Sequence, residues 1–227
     1  MITAKTKLYL YDKYFFHTYL KMKLQTVFEL ENINGQIIKN TSYEVSEQVN
    51  LQNVLRDGDA VLQLGGNIGT SCMFASKHKN LSKNVCVEPS STILGTLKKN
   101  TQGLGIDVFH GIIADTCENM SLQGAGADTS NNDWGAYVST DGSGQSISCA
   151  PLTAVSPDTG FDVLFADCEG CLPDFINTYK EEINTKHPNL RSVIYERDGG
   201  VDYSGVDNWL SENNFKCEGD FQIKCVK

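Results

Sequence analysis

Positive charge is in short supply in this 227-residue chain: 19 Lys and Arg stand against 28 Asp and Glu, leaving a net charge of −9. With no Lys/Arg cluster, nucleic acid and anionic membrane are not expected as main partners. Long apolar runs are missing too; none approaches the ~20 residues of a membrane span, so a soluble protein is expected. No Gly-Lys-Ser/Thr follows a glycine turn, which excludes a P-loop, and no G-x-G-x-x-G register occurs, which weighs against NAD and FAD. Cys168-Glu169-Gly170-Cys171 lacks the second cysteine pair or nearby histidine that would complete a tetrahedral zinc site, so no metal ligand set is assigned. The 8 cysteines show no regular spacing and no signal-peptide pattern ahead of them. They are expected to be reduced thiols in a cytoplasmic protein.

What remains fits one domain, large enough to bury roughly 70% of its unfolded surface. Its acidic balance suits a small molecule or a neutral glycan as partner. The chain is organised around Ala60-Val61-Leu62-Gln63-Leu64-Gly65-Gly66-Asn67-Ile68-Gly69-Thr70-Ser71. This apolar run stops at glycines and resumes as a helix, which reads as a buried strand, a tight turn and a helix over Thr70 to His78. Glycines allow φ above zero and close approach of a ligand to the main chain. The amides of Asn67 to Ser71 are expected to be free at the helix start, where an anionic group suits them. S-adenosylmethionine has no pyrophosphate and needs only such a turn plus an acidic residue for its ribose. Asn84-Val85-Cys86-Val87-Glu88-Pro89 supplies that residue, Glu88, at the end of a second strand.

Along the rest of the chain, Leu8, Tyr11, Phe15, Tyr19 and Met22 recur at helical intervals. Gln25 to Tyr43 alternates about Asn34-Gly35, predicting a hairpin with a two-residue turn. Residues 1–45 are read as an accessory helix and hairpin, and 46–227 as the main domain. A helix is predicted from Ser46 to Leu55 and another from Ser90 or Ser91 to Asn100. A third strand, Ile106 to Ile113, ends at Asp115, a candidate partner for an adenine amino group. Cys117 to Pro157 is rich in Gly, Ser, Asn and Asp and is expected to form short hairpins rimming the substrate side, with Trp134 as a candidate wall. Phe161 to Ala166 is an apolar strand followed by Asp167 and Glu169. Leu172 to Ile183 is a helix, Arg191 to Glu196 a strand, and Asp207 to Asn213 a helix. Phe215 to Cys217 and Phe221 to Val226 close the chain as an antiparallel hairpin. Alternating strands and helices predict an open, mostly parallel sheet whose ligand lies beyond the carboxyl ends of the strands, where Asp167, Glu169 and Glu196 gather.

The motifs Leu64-Gly65-Gly66-Asn67-Ile68-Gly69, Val87-Glu88-Pro89, Ala114-Asp115, Phe161-Asp162-Val163-Leu164, Asp167-Cys168-Glu169-Gly170 and Tyr195-Glu196 together resemble those of the FkbM-type methyltransferases. The resemblance runs from about Tyr43 to the C-terminus. It implies a Rossmann-like class I methyltransferase fold of α/β class, with a seven-stranded sheet, and S-adenosylmethionine-dependent methylation of hydroxyl groups on sugars or natural products. Gln63, Gly65, Gly66, Asn67, Ile68, Gly69, Glu88, Pro89, Asp115 and Asp167 are the cofactor-binding candidates, and Asp167 and Glu169 the catalytic ones. The chain departs from the family pattern at Gln63, where an acidic residue is usual, at Phe165, where Lys is common, at Leu172, and at Leu152-Thr153.

Methyl transfer to an alcohol needs alignment, a dry pocket and a group that takes the hydroxyl proton. Asp167 is the candidate for that last role, or for orienting the hydroxyl, with Glu169 and Glu196 shaping the substrate side. The same carboxylates could instead cap the following helix, or hold a divalent cation with oxygen ligands. The competing functions are a binding or regulatory module that keeps the fold without chemistry, favoured by Gln63, Phe165 and Leu172, and a nicotinamide-dependent oxidoreductase.

Overall fold

The computed structural model of the chain describes residues 24–124, 135–156 and 160–227. The helix predicted over Leu8 to Met22 and the wall role of Trp134 lie outside these residues. A short hairpin, β1 (Glu29–Glu31) and β2 (Ile37–Lys39), precedes helix α1 (Val45–Val54). Strands and helices then alternate as β3 (Ala60–Leu64), α2 (Thr70–His78), β4 (Lys83–Glu88), α3 (Ser91–Thr101) and β5 (Ile106–His110). After an excursion of short strands the alternation resumes with β11 (Val163–Ala166), α4 (Leu172–Lys186), β12 (Ser192–Glu196) and α5 (Ser204–Glu212). It closes on β13 (Lys216–Glu218) and β14 (Gln222–Val226). The excursion holds β6 (Ile112–Ile113), β7 (Ser121–Gly124), β8 (Ala136–Ser139), β9 (Gln145–Ser146) and β10 (Cys149–Ala150).

The main sheet has seven strands in the order β13-β14-β12-β11-β3-β4-β5. From β12 to β5 all neighbours are parallel, while β14 adds antiparallel to β12 and β13 antiparallel to β14. This is a Rossmann-like α/β arrangement, a mostly parallel sheet with a C-terminal antiparallel hairpin. The chain runs outward from β3 to β5 and then returns to lay β11 on the other side of β3. The ends of β3 and β11 are therefore the switch point at which open α/β sheets hold ligands.

Side-chain alternation along the strands divides the core in two. Leu62, Leu64, Leu164, Val193 and Tyr195 face α4 and α5, meeting Phe175, Ile176, Trp209 and Leu210. Val61, Val163, Phe165 and Ile194 face the opposite way, against Leu51 of α1 and Met73 and Phe74 of α2. Strands buried on both faces read as continuous apolar runs, which is why Val163 to Ala166 and Val193 to Tyr195 carry almost no polar residue. Phe165 and Leu172, two of the family departures, are both 1% exposed and belong to this core.

Three local readings are corrected. The β1–β2 connection has five residues, 32–36, rather than two: Asn32 N donates to Gln36 O, Gly35 N donates to Asn32 O, and Gly35 adopts φ 75. Asn32 Oδ1 accepts from both Asn34 N and Gln36 N, so its side chain stabilises the longer loop. The predicted third strand splits at Gly111, where a Cβ would lie 2.5 Å from the Ser148 carbonyl oxygen. Beyond that break β6 leaves the main sheet and pairs in parallel with β10. The expectation of reduced thiols is overturned: Cys72–Cys86, Cys117–Cys149, Cys168–Cys171 and Cys217–Cys225 are disulfides, and no cysteine is free. Cys217 and Cys225 stand directly opposite in the β13–β14 ladder, whereas the first two pairs join segments that only the tertiary fold brings together.

Two substitutions test how tightly the switch point is built. A Cβ on Gly65 would fall 1.6 Å from the Asp167 carbonyl oxygen, and φ there is 83. Gly65→Ala is expected to cost at least about 4 kcal/mol, read as a lowered midpoint or loss of cooperative unfolding. Gly95, exposed in α3 with nothing within 4 Å of its would-be Cβ, is the control; Gly95→Ala should stabilise by about 1 kcal/mol. Preventing the Cys117–Cys149 bridge, whose partners are 32 residues apart, should cost about 3–4 kcal/mol on the loop-closure model, measured by denaturant unfolding of the double serine variant.

Candidate functional site

The turn after β3 is held shut by its own chain. Gly65 N and Gly66 N both donate to Val87 O, at 3.0 and 2.8 Å, and Gly69 N donates to Gly66 O at 2.8 Å. Asn67 N donates to Glu88 Oε2 at 2.8 Å, and Ile68 N donates to Asn67 Oδ1 at 2.8 Å. The anion suited to the helix start is thus Glu88 itself, and the expectation of free amides at Asn67, Ile68 and Gly69 is corrected. Glu88 is 6% exposed, and its Oε1 accepts from Ser90 N at 2.7 Å. Burial holds its carboxyl above the ordinary glutamate value, and the amides of Ser90 and Asn67 pull the other way. A carboxylate with two such bonds still has lone pairs to offer.

On the other side of the switch point the chain gathers acid. Asp167 follows β11, Glu196 ends β12, and Glu44 and Glu47 come from the start of α1, which lies over these strand ends. Glu47 is 4% exposed although charged. Asn67 ties the two halves together: its Nδ2 donates to Tyr43 Oη at 3.0 Å and to Glu44 Oε1 at 3.4 Å. Burial, then Glu44, Glu196, Glu169 and Asp198, push the Asp167 carboxyl well up. Burial, then Glu44, Asp167 and Glu196, do the same for Glu47. Glu196 is pushed up to about 7, chiefly by burial and then by Asp198. Among the described residues no Lys or Arg pairs with Glu47, Asp167, Glu169, Glu196 or Asp198; Arg197, next in sequence, pairs with Asp207. Such a gathering of carboxylates favours a cationic ligand and opposes a phosphate-bearing one.

The predicted site residues fall into two groups. Gly65, Gly66, Asn67, Glu88 and Asp167 do converge at the switch point, and Pro89 sits half-buried between Glu88 and Ser90. The glycines, however, make room for protein rather than ligand: a Cβ on Gly66 would lie 2.7 Å from Cys86 Sγ, and one on Gly69 3.0 Å from Leu97 Cδ1. Ile68 is a core side chain with no exposure. Gln63 is also fully buried, its Nε2 donating to Asn84 Oδ1 at 2.7 Å while Asn84 Nδ2 reaches Cys72 O and Ser76 Oγ on α2. As placed, it links β3, β4 and α2 beneath the turn. Glu169 Oε1 accepts from Gly135 N at 3.0 Å, tying the residue before β8 to the loop after β11. Asp115 is exposed and accepts from Tyr179 Oη at 2.9 Å, beyond the short β6 rather than at the edge of the main sheet. Glu44 and Glu47 escaped the sequence reading. The available signal was a pair of acids three residues apart at a helix start, in itself ordinary.

No protein-family model matches the chain, and no curated protein matches it. Among solved structures it is similar to a protein of the NADB-Rossmann superfamily from Streptococcus agalactiae. That likeness has 12% identity and TM-score 0.48, covering 79% of this chain and 65% of that one, so the chain spans less than two thirds of that protein. It is also similar to a precorrin-6y C5,15-methyltransferase from Geobacter metallireducens, at 13% identity and TM-score 0.48, covering 80% and 88%. A ribosomal protein L11 methylase from Lactobacillus delbrueckii subsp. bulgaricus gives 14% identity and TM-score 0.47, covering 82% and 77%.

The raised carboxyls have a consequence for stability. Each binds its proton more tightly folded than unfolded, so the folded state gains on the unfolded one as pH falls from above about 7, where Glu196 titrates, toward the ordinary 4.5. The gain is about 1.4 kcal/mol per pH unit for each extra proton held. In buffer containing chelator, the thermal midpoint should therefore rise between pH 8 and pH 5; a midpoint that falls over this range would contradict the buried acid crevice.

Proposed function

We propose that this chain is an S-adenosylmethionine-dependent methyltransferase acting on a hydroxyl of a small molecule or glycan. The observation that carries the reading is the charge of the switch point. A crevice walled by Asp167, Glu196 and Glu47, with its backbone donors spent on Glu88 and on the turn itself, complements a sulfonium nucleotide. A pyrophosphate would meet carboxylates where it needs donors, which counts against the nicotinamide alternative.

When bound, the cofactor supplies a methyl group on a positively charged sulfur. The two remaining lone-pair directions of Glu88 would take the ribose hydroxyls, with Asn67, held by Glu88 and Glu44, fixing the turn against the ligand. Gly65, Gly66, Gly69 and Pro89 would border it through backbone, as would Ile68, and Asp115 would take the adenine amino group by giving up its bond to Tyr179. Gln63 would act at one remove, by holding the strand beneath. Asp167, whose proton affinity is raised by burial and like charge, suits the acceptance of a hydroxyl proton. Glu169 and Glu196 would orient the acceptor.

The four disulfides support a site of action in an oxidising compartment rather than the cytoplasm, since thiols are kept reduced in the latter. Among the described residues no helix is long and apolar enough to cross a membrane. The second reading, a module that keeps the fold without chemistry, is favoured by Gln63, Phe165 and Leu172, three departures from the family pattern that are all buried in the core.

Calorimetric titration with S-adenosylmethionine, followed by detection of S-adenosylhomocysteine with hydroxylated acceptors, separates the readings. Glu88→Gln should weaken cofactor binding by about 10- to 100-fold, the equivalent of one or two charge-assisted bonds. Asp167→Asn should abolish turnover while leaving cofactor affinity within about threefold. Saturable binding with no acceptor-dependent product would favour the module, and absence of binding would remove both.

A further inference from the structure

Within the acid crevice lies a tighter group. Glu44, immediately before α1, Glu47 in its first turn, and Asp167 after β11 each place a carboxylate oxygen within 4.8 Å of the other two. Clustered acids alone are common; Glu47 is what distinguishes these. It is 4% exposed, its Oε1 takes one long bond of 3.3 Å from Gln222 Nε2, and its Oε2 has no hydrogen-bond partner among the described residues. Gln222 cannot help further, because its Nε2 also serves Glu196 Oε2 and its own buried Oε1 finds no donor among the described residues. Acceptors therefore outnumber donors at a buried spot. Leaving a carboxylate oxygen there unmatched costs several kcal/mol unless a proton or a cation meets it.

We propose that Glu44, Glu47 and Asp167 form a binding site for a divalent cation of the oxygen-preferring class, Ca²⁺, Mg²⁺ or Mn²⁺. The donor set is all carboxylate, with no thiolate or imidazole to favour a softer metal. A spread of up to 4.8 Å matches ligands on opposite sides of an ion bound at about 2.4 Å, within the Ca²⁺ range. Three protein ligands leave positions open to water or to an oxygen of a substrate. Cation binding stands on these side chains alone. Only its further role, holding the acceptor hydroxyl beside the methyl donor, rests on the methyl-transfer reading.

The test is calorimetric titration of the metal-free full chain with Ca²⁺, Mg²⁺ and Mn²⁺ separately, with Mn²⁺ binding followed in parallel by electron paramagnetic resonance. At least one cation should bind saturably at one ion per chain and raise the thermal midpoint. Glu47→Gln and Asp167→Asn should each weaken that binding at least tenfold, and Glu212→Gln, an exposed acid on α5, should leave it unchanged. Glu47→Gln removes an unmatched buried charge, so in chelator it should unfold at or above the wild-type midpoint while losing the cation-induced rise. No saturable binding by any of the three cations, or wild-type affinity in Glu47→Gln, overturns the site. A parallel titration with S-adenosylmethionine in chelator keeps the two readings apart: cofactor binding without cation binding overturns this one alone, and cation binding without cofactor affinity overturns the other alone.

Discussion

The contact between Gly65 and the backbone carbonyl of Asp167 sets the geometry of everything around it. Strands β3 and β11 are parallel neighbours at the point where the chain's direction of winding reverses, and they end so close together that no side chain fits at position 65. The approach places the turn and Glu88 on one flank and Asp167 on the other. Gly66 lets the turn settle on Cys86 and Leu97, and Asn67 then reaches Glu88 with its amide and Glu44 with its side chain. A looser junction would separate the two flanks.

Electrostatics then decide what the junction can hold. An ordinary nucleotide turn offers free amides to an anion; this one spends them on Glu88, on Val87 and on the turn itself, and α1 brings Glu44 and Glu47 toward Asp167 and Glu196. Among the described residues Glu47, Asp167 and Glu196 pair with no Lys or Arg, and carboxylates confined together raise one another's proton affinity. On the proposed readings a sulfonium nucleotide and a divalent cation would each supply positive charge, at different parts of these strand ends. Glu88 lies toward β4, whereas the three-carboxylate group lies toward β11 and α1.

The disulfides alter the physical setting. Cys72–Cys86 pins α2 to β4 beneath Gly66, and Cys168–Cys171 closes the loop between Asp167 and α4. Both stiffen the segments that carry the site. With every cysteine paired, the chain is suited to an oxidising environment.

Much of the architecture was legible in the sequence. Local periodicity placed β3, α2, β4, α3, β11, α4, β12 and the terminal hairpin, because apolar spacing and glycine punctuation act over a few residues. The same local signals marked Gly65, Glu88 and Asp167 as strand-end residues. They were silent wherever distant segments had to meet. The pairing of Cys117 with Cys149, the approach of Glu47 to Asp167 across 120 residues, and the capture of Asn67's amide by Glu88 depend on how the layers stack. Hydrophobic pattern by itself determined the strands, the helices and their order; tertiary packing alone decided which polar groups face one another, because burial and charge are properties of an environment assembled from the whole chain.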